Sequence, residues 1–170
     1  MSNQLQRTLV LLKPDAVDRG YVGEIITRFE RVGLKIIGLK MIQSDEDTAR
    51  RHYTEDLARR RGEKVRNLMI EMLRMGPIVA IVLQGIEAVA VVRKMVGETE
   101  PLKAAPGTIR GDFAHISYAY ADAKGIGVFN LVHASGNPEE AEVEVGVWFK
   151  DEELCDHRPS YTRLALREGE

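Results

Sequence analysis

Four short apolar runs, at residues 8–12, 36–42, 77–83 and 128–132, decide what this chain can fold into. Each is strand-sized, and helical periodicity or turn-rich sequence parts it from the next, so a sheet must be assembled from distant segments. The first, Thr8-Leu9-Val10-Leu11-Leu12, stops at Lys13-Pro14-Asp15. Proline has no N–H for a strand ladder and restricts the residue before it.

The intervening sequence reads as helices. Val22, Ile25, Ile26, Phe29 and Val32 recur at helical spacing, with Gly33 placed to end the helix. Gly38 marks a bulge or close approach in the second run. Ser44-Asp45-Glu46-Asp47 resembles a capping box opening a short helix that carries His52 and Tyr53. Over 63–75, Val65, Leu68, Met69, Met72 and Leu73 form one stripe, in which methionine fills core. A helix over 86–96 turns Val89, Val92 and Val96 inward, whereas 97–127 reads as one long irregular segment. Asn137, Pro138 and Glu140 supply the N-cap, first position and third position of a last helix. Beyond Phe149, residues 151–170 read as a charged, irregular tail. The order predicts one domain over 1–170 with an α+β fold, a ferredoxin-like βαββαβ sandwich. Its four-stranded antiparallel sheet would have helices packed on a face.

Composition narrows the class. A chain of 170 residues buries about 70% of its unfolded surface. A net charge of −2 gives no global reason to expect nucleic acid or membrane as a partner, and Arg59-Arg60-Arg61 reads as a solvated helix edge. The single Cys155 allows neither an internal disulfide nor a cysteine-pair zinc site, which fits a reducing, cytoplasmic setting. Residues 1–7 lack the apolar centre of a signal peptide, and no apolar run approaches membrane-spanning length.

The groups able to do chemistry are few. His52, His115, His133 and His157 are not spaced with other ligands along a helix face, so no protein-held metal is expected. The chain has no Gly-x-Ser-x-Gly elbow, no Walker A loop and no Gly-x-Gly-x-x-Gly after a strand. His133 follows the last apolar run by one residue, and the next helix turns Ala141, Val145 and Trp148 inward. Glu144 flanks that inward face, while Glu139 and Glu142 point elsewhere. A carboxylate there, with Ser135 bridging, fixes an imidazole's tautomer and raises its nucleophilicity. A core-edge pair serving stability fits the same pattern, and spacing leaves both readings open. Lys13, Arg93, Thr99, Arg110 and Asn130 would form a cationic phosphate site if the fold brings them to His133.

Longer motifs add to this. The stretches RTLVLLKPDAVDRGYVGEIITRFERVGLKIIGLK, VVRKMVGETEPLKAAPGTIRGDFA, NLVHAS and EEAEVEVGVWF, spanning about Arg7 to Leu154, closely resemble the nucleoside diphosphate kinase family. The resemblance implies phosphoryl exchange between nucleoside triphosphates and diphosphates by a ping-pong route through phosphohistidine at His133, with broad base specificity. It assigns phosphate binding to Lys13, Arg93, Thr99 and Arg110, with Lys13 and Asn130 also reaching the sugar hydroxyl region. Tyr53 would sit beside the transferring group, and Glu144 with Ser135 would orient His133. Mg²⁺ would enter on the nucleotide, and homo-oligomers, usually hexamers, would form from dimers paired at sheet edges.

The chain departs from the family pattern in four places. After Tyr53, the usual stretch with a base-stacking Phe is replaced by EDLARRRGEKVRNLM, leaving Val65 or Met69 to cover the base. The segment 114–127 is about ten residues longer than usual and precedes the His133 strand. Ala134 replaces a Gly, and Gly136-Asn137 replaces an acidic residue and Ser. Two other readings stand beside an active kinase: a nucleotide-binding module without turnover, and a ferredoxin-like regulatory or nucleic-acid-binding domain. The last leaves the site residues unexplained.

Overall fold

The computed structural model describes residues 4–155 and 157; of the irregular tail expected over 151–170, Asp151–Glu153 form a 3-10 turn, and 156 and 158–170 lie outside the described residues. β1 (Leu5–Leu12), β2 (Lys35–Ile42), β3 (Ile78–Ile86) and β4 (Val132–Ala134) form a sheet in the order β2-β3-β1-β4. Every neighbouring pair is antiparallel. This is the ferredoxin-like arrangement.

Helices cover both faces of the sheet, where one covered face was expected. The reason is written in β1, whose Leu9, Val10, Leu11 and Leu12 are all fully buried. Side chains alternate across a strand, so an unbroken apolar run demands cover on each side. Val10 and Leu12 pack with Ile25 and Phe29 of α2 (Val22–Arg31) and Val92 of α6 (Ala88–Val96). Leu9 and Leu11 pack with Leu73 of α5 (Glu63–Arg74) and with Val145 and Trp148 of α9 (Pro138–Trp148). Each such side chain contributes about 1.5–3 kcal/mol relative to exposure, so a one-residue slip of β1 is strongly disfavoured.

Short elements escaped the sequence reading. α1 (Pro14–Asp18) starts directly after β1. α3 (Glu46–His52) is the short helix expected there, but it is capped by Asp45, which accepts from Thr48 N at 2.7 Å, and not by Ser44, and Tyr53 lies just past its end. α4 (Glu55–Arg61) ends in exposed Arg59-Arg60-Arg61. Residues 97–127 hold a 3-10 turn at Pro101–Lys103, α7 (Ile109–Phe113) and α8 (Tyr118–Lys124). Helices of five and seven residues are too short to show a period, so they read as loop. The long segment is tied down: Tyr118 N donates to Glu100 Oε1 at 2.9 Å and Leu102 N to Ile116 O at 3.2 Å. Gly38 fulfils both expectations, lying at a register shift and so near Leu154 that a Cβ would come within 2.9 Å of Cδ2.

β4 is three residues long and starts at Val132, not at 128, so His133 lies inside it, opposite Leu11. Leu131 explains the late start. Its φ is +69°, and Val132 N donates to Asn130 O at 2.8 Å, closing a γ-turn that a branched residue adopts only under constraint. Leu131 N donates to Asp15 Oδ2 at 2.9 Å, and Leu131 O accepts from Lys13 N at 2.8 Å. The Lys-Pro-Asp that ends β1 thus also holds the turn that launches β4. Asn137 caps α9 as expected, accepting from Glu140 N at 2.8 Å. Among the described residues no helix is long and apolar enough to cross a membrane.

Candidate active site

A cleft of about 670 Å³ opens where the end of β1, the start of β4 and the segment after α3 converge. Lys13, Tyr53, Arg93, Thr99, Arg110, Asn130, His133 and Glu144 all line it, from six separate stretches of chain. Ser135 is buried behind Glu144.

The histidine is held at one edge only. His133 Nε2 lies 3.0 Å from both oxygens of Glu144. Ser135 Oγ donates to Glu144 Oε2 at 2.5 Å and accepts from Leu9 N at 3.3 Å. An ionised carboxylate only accepts, so Nε2 carries the proton and the Nδ1 lone pair is left for other work. Burial pushes the Glu144 carboxyl up, but His133 and the hydrogen bonds from His133 and Ser135 outweigh it and bring it down to about 2.

The cations are arranged around this edge. Burial lowers Lys13 to about 8, with Asp15 opposing and Arg110 reinforcing the shift. Burial likewise lowers Arg110 to about 10, which still leaves it charged at neutral pH. Arg110 is fixed by three carbonyls, donating to Gly97 O at 2.9 Å, Val132 O at 2.6 Å and Asn130 O at 3.3 Å. Asn130 Nδ2 donates to Thr99 O at 2.7 Å, while its Oδ1 is buried without a partner. Arg93 and Thr99 are exposed on the cleft's rim. Burial raises the Tyr53 phenol, keeping it neutral.

Several placements differ from the sequence reading. Glu139 lines the cleft mouth instead of pointing away, whereas Glu142 does point away and pairs with Arg7 at 2.6 Å. Near the outer end Met69 and Leu57 line the cleft, but Val65 is exposed and outside it. A helix turns residues four apart to one side, so Met69 and Val65 cannot be judged without knowing α5's tilt against α4. Ala134 is extended and paired with Val10, a conformation that makes no demand for glycine.

Other residues of the site went unseen. Arg66, 5% exposed, donates from Nε to Tyr53 O at 2.8 Å and meets Glu55 at 2.7 Å and Glu63 at 3.2 Å. It clasps the α4–α5 pair to the Tyr53 segment. Asp15 supports the γ-turn, and His52 lies buried between His133 and Trp148. Adjacency to Tyr53 or Lys13 was the sequence signal for His52 and Asp15, whereas Arg66, 13 residues from Tyr53, carried none. His52, His133 and Glu144 also bring one candidate ligand atom each within 4.8 Å of one another, a convergence no spacing rule could show. Two of these groups are already engaged, Glu144 by His133 and Ser135 and His52 Nδ1 by Trp148.

The nucleoside diphosphate kinase family model matches residues 6–154. The chain belongs to the nucleoside diphosphate kinase family. A relative named nucleoside diphosphate kinase, from Borreliella burgdorferi, is 44% identical over 155 residues, covering 91% of this chain and 93% of that one. Among solved structures, a transition state mimic of the Borrelia burgdorferi enzyme with bound vanadate and ADP superposes with a TM-score of 0.93. It is 43% identical and covers 96% of this chain and 98% of its own. A halophilic nucleoside diphosphate kinase from Halobacterium salinarum in complex with CDP gives 0.79 at 35% identity, covering 94% and 97%. The segment after Tyr53, expected to differ from the family pattern, forms the helix α4, and the 114–127 segment folds as α8 with its flanks.

Proposed function

We propose that this nucleoside diphosphate kinase moves the terminal phosphate of a nucleoside triphosphate to a nucleoside diphosphate through phosphohistidine on Nδ1 of His133. One observation carries the reading: Glu144 occupies Nε2, so the free lone pair belongs to the other nitrogen, inside a cleft walled by Lys13, Arg93 and Arg110. In the first half-reaction the Nδ1–P bond forms as the P–O bond to the diphosphate breaks. No proton must leave Nδ1, and Glu144 balances the positive charge that develops on the ring. The cations neutralise charge spreading over the phosphoryl oxygens, and Tyr53 remains a neutral donor beside them. Asn130 Oδ1, buried and unpaired, suits a sugar hydroxyl donor. The second half-reaction is the reverse, with a different diphosphate.

Magnesium fits as a passenger on the nucleotide. Beside His133 the cleft presents Lys13, Arg110 and the carboxylate of Glu144, which is already engaged by His133 and Ser135, and this suits an ion held by phosphate oxygens and water. When bound, it would offset negative charge between the phosphates. Leu57 and Met69 offer apolar area without a hydrogen-bonding pattern, which supports broad base tolerance. We also infer assembly into homo-oligomers, with a hexamer as the family's usual form. The β2 edge is unpaired among the described strands and exposes Leu39 and Met41 at 52% and 58%. Light scattering reads that mass directly, and a monomer would overturn it. A reducing cytoplasm suits the exposed, unpaired Cys155.

The deciding experiment incubates the protein with γ-labelled ATP and Mg²⁺. Acid-labile label is expected on the protein, absent in His133→Ala and discharged by any nucleoside diphosphate. Nucleotide binding without label would instead make the chain a binding module.

A further inference from the structure

His52 is a buried imidazole that the transfer scheme leaves unused, yet it stands against the group the scheme depends on. Its side chain has no exposure, and its ring is perpendicular to His133 with centroids 4.3 Å apart. Its Nδ1 is 3.9 Å from Glu144 Oε1, beyond hydrogen-bonding range. Nδ1 instead accepts the indole N–H of Trp148 at 3.2 Å. An indole only donates, so Nδ1 must present a lone pair, and a neutral ring must then carry its proton on Nε2. Nε2 is buried with no hydrogen-bonding partner, so nothing there stabilises a charged ring.

The groups facing His52 are Glu144 from α9, His133 from β4, Lys13 from the end of β1 and neighbouring Tyr53. Only Glu144 favours its protonation. Burial first, then His133, outweigh it and bring His52 down to about 3.

We propose that His52 is a positioning residue for the nucleophile, locked by Trp148 in its neutral Nε2–H tautomer. The lock has two consequences. It ties α3 to the last turn of α9, one turn beyond Glu144, and so sets where that carboxylate stands. It also keeps His52 from competing as a cation, leaving Glu144 to serve His133 alone.

The inference rests on His133 being the phosphoryl acceptor, and its test separates the two. In ¹⁵N–¹H spectra of the labelled full chain, His52 should hold the Nε2–H pattern unchanged from pH 5.5 to 8.5. An Nδ1–H pattern or a titration in that range overturns the proposal. In the second arm, His52→Phe keeps ring volume but cannot accept from Trp148. Single-turnover phosphoenzyme formation should slow about tenfold, the worth of one buried hydrogen bond, with nucleotide KM within about twofold. His52→Asn, whose Oδ1 takes the place of Nδ1, should recover to within about threefold of wild type. His52→Phe at the wild-type rate sinks the positioning role. Absence of any phosphoenzyme in wild type sinks the reading of His133 instead, while the spectra still decide the tautomer.

Discussion

Lys13 is a buried ammonium in the lining of the candidate cleft, and its pH behaviour follows from that position. Its pKa in the folded state, about 8, lies below the ordinary 10.5. Below pH 8 the buried charge therefore opposes folding, and the penalty fades as pH rises from 8 to 10.5. Wild type should gain in thermal midpoint relative to Lys13→Met across that window. Activity should move the other way: nucleotide KM should climb above pH 8 as the cation is lost, and Lys13→Arg should flatten the climb in a pH–rate profile. Glu144 has the opposite sign. Its pKa is depressed from 4.5 to about 2, so its contribution is complete above pH 4.5 and is lost as pH falls towards 2. Urea unfolding of wild type and Glu144→Gln should differ at pH 6 and converge near pH 2.

At the scale of elements, short connections set the site as much as the sheet does. Arg66 holds the carbonyl of Tyr53 and two acids at the starts of α4 and α5. Arg66→Leu should cost about 1–3 kcal/mol, by leaving a buried acceptor unpaired, and should raise nucleotide KM more than it lowers kcat. Equal KM values would show that the α4–α5 wall does not depend on this clasp. Ala134 invites the reverse test, because the resemblance implied glycine there. In a paired, extended position Ala134→Gly should lose about 0.5–1 kcal/mol, with steady-state activity unchanged. A gain in activity would mean the backbone of β4 is constrained by alanine after all.

Across the whole molecule, the long segment before β4 is built in rather than draped over the cleft. Glu100 receives Tyr118 N and pairs with Lys103 at 2.7 Å, joining the 3-10 turn to α8. Glu100→Ala should lower the thermal midpoint and speed proteolytic cleavage within 114–127, as followed by mass spectrometry. Unchanged cleavage would leave Ile116 and Ala121 as sufficient anchors. α7 in the same segment carries Arg110, so loosening it should also weaken nucleotide binding.

How much of this was legible depended on the range of the interaction. The apolar run of β1, the stripe of α2, the Asn137 cap and the strand at 78–86 follow from local periodicity and hydrogen-bonding chemistry, which neighbours in sequence carry by themselves. The motifs around Lys13, Arg110 and His133 were legible through family resemblance, since their spacing alone leaned towards a structural histidine. Tertiary structure decided the rest. It placed the start of β4 at Val132 and not at 128, four residues later than its apolar run suggests, because Asp15 and Lys13 hold Leu131 in a γ-turn. It put Met69 in the cleft and Val65 outside, and it brought His52, Arg66 and Asp15 to the site from positions with no distinguishing pattern. Those choices are made by contacts between residues tens of positions apart, and a one-dimensional period carries no information about them.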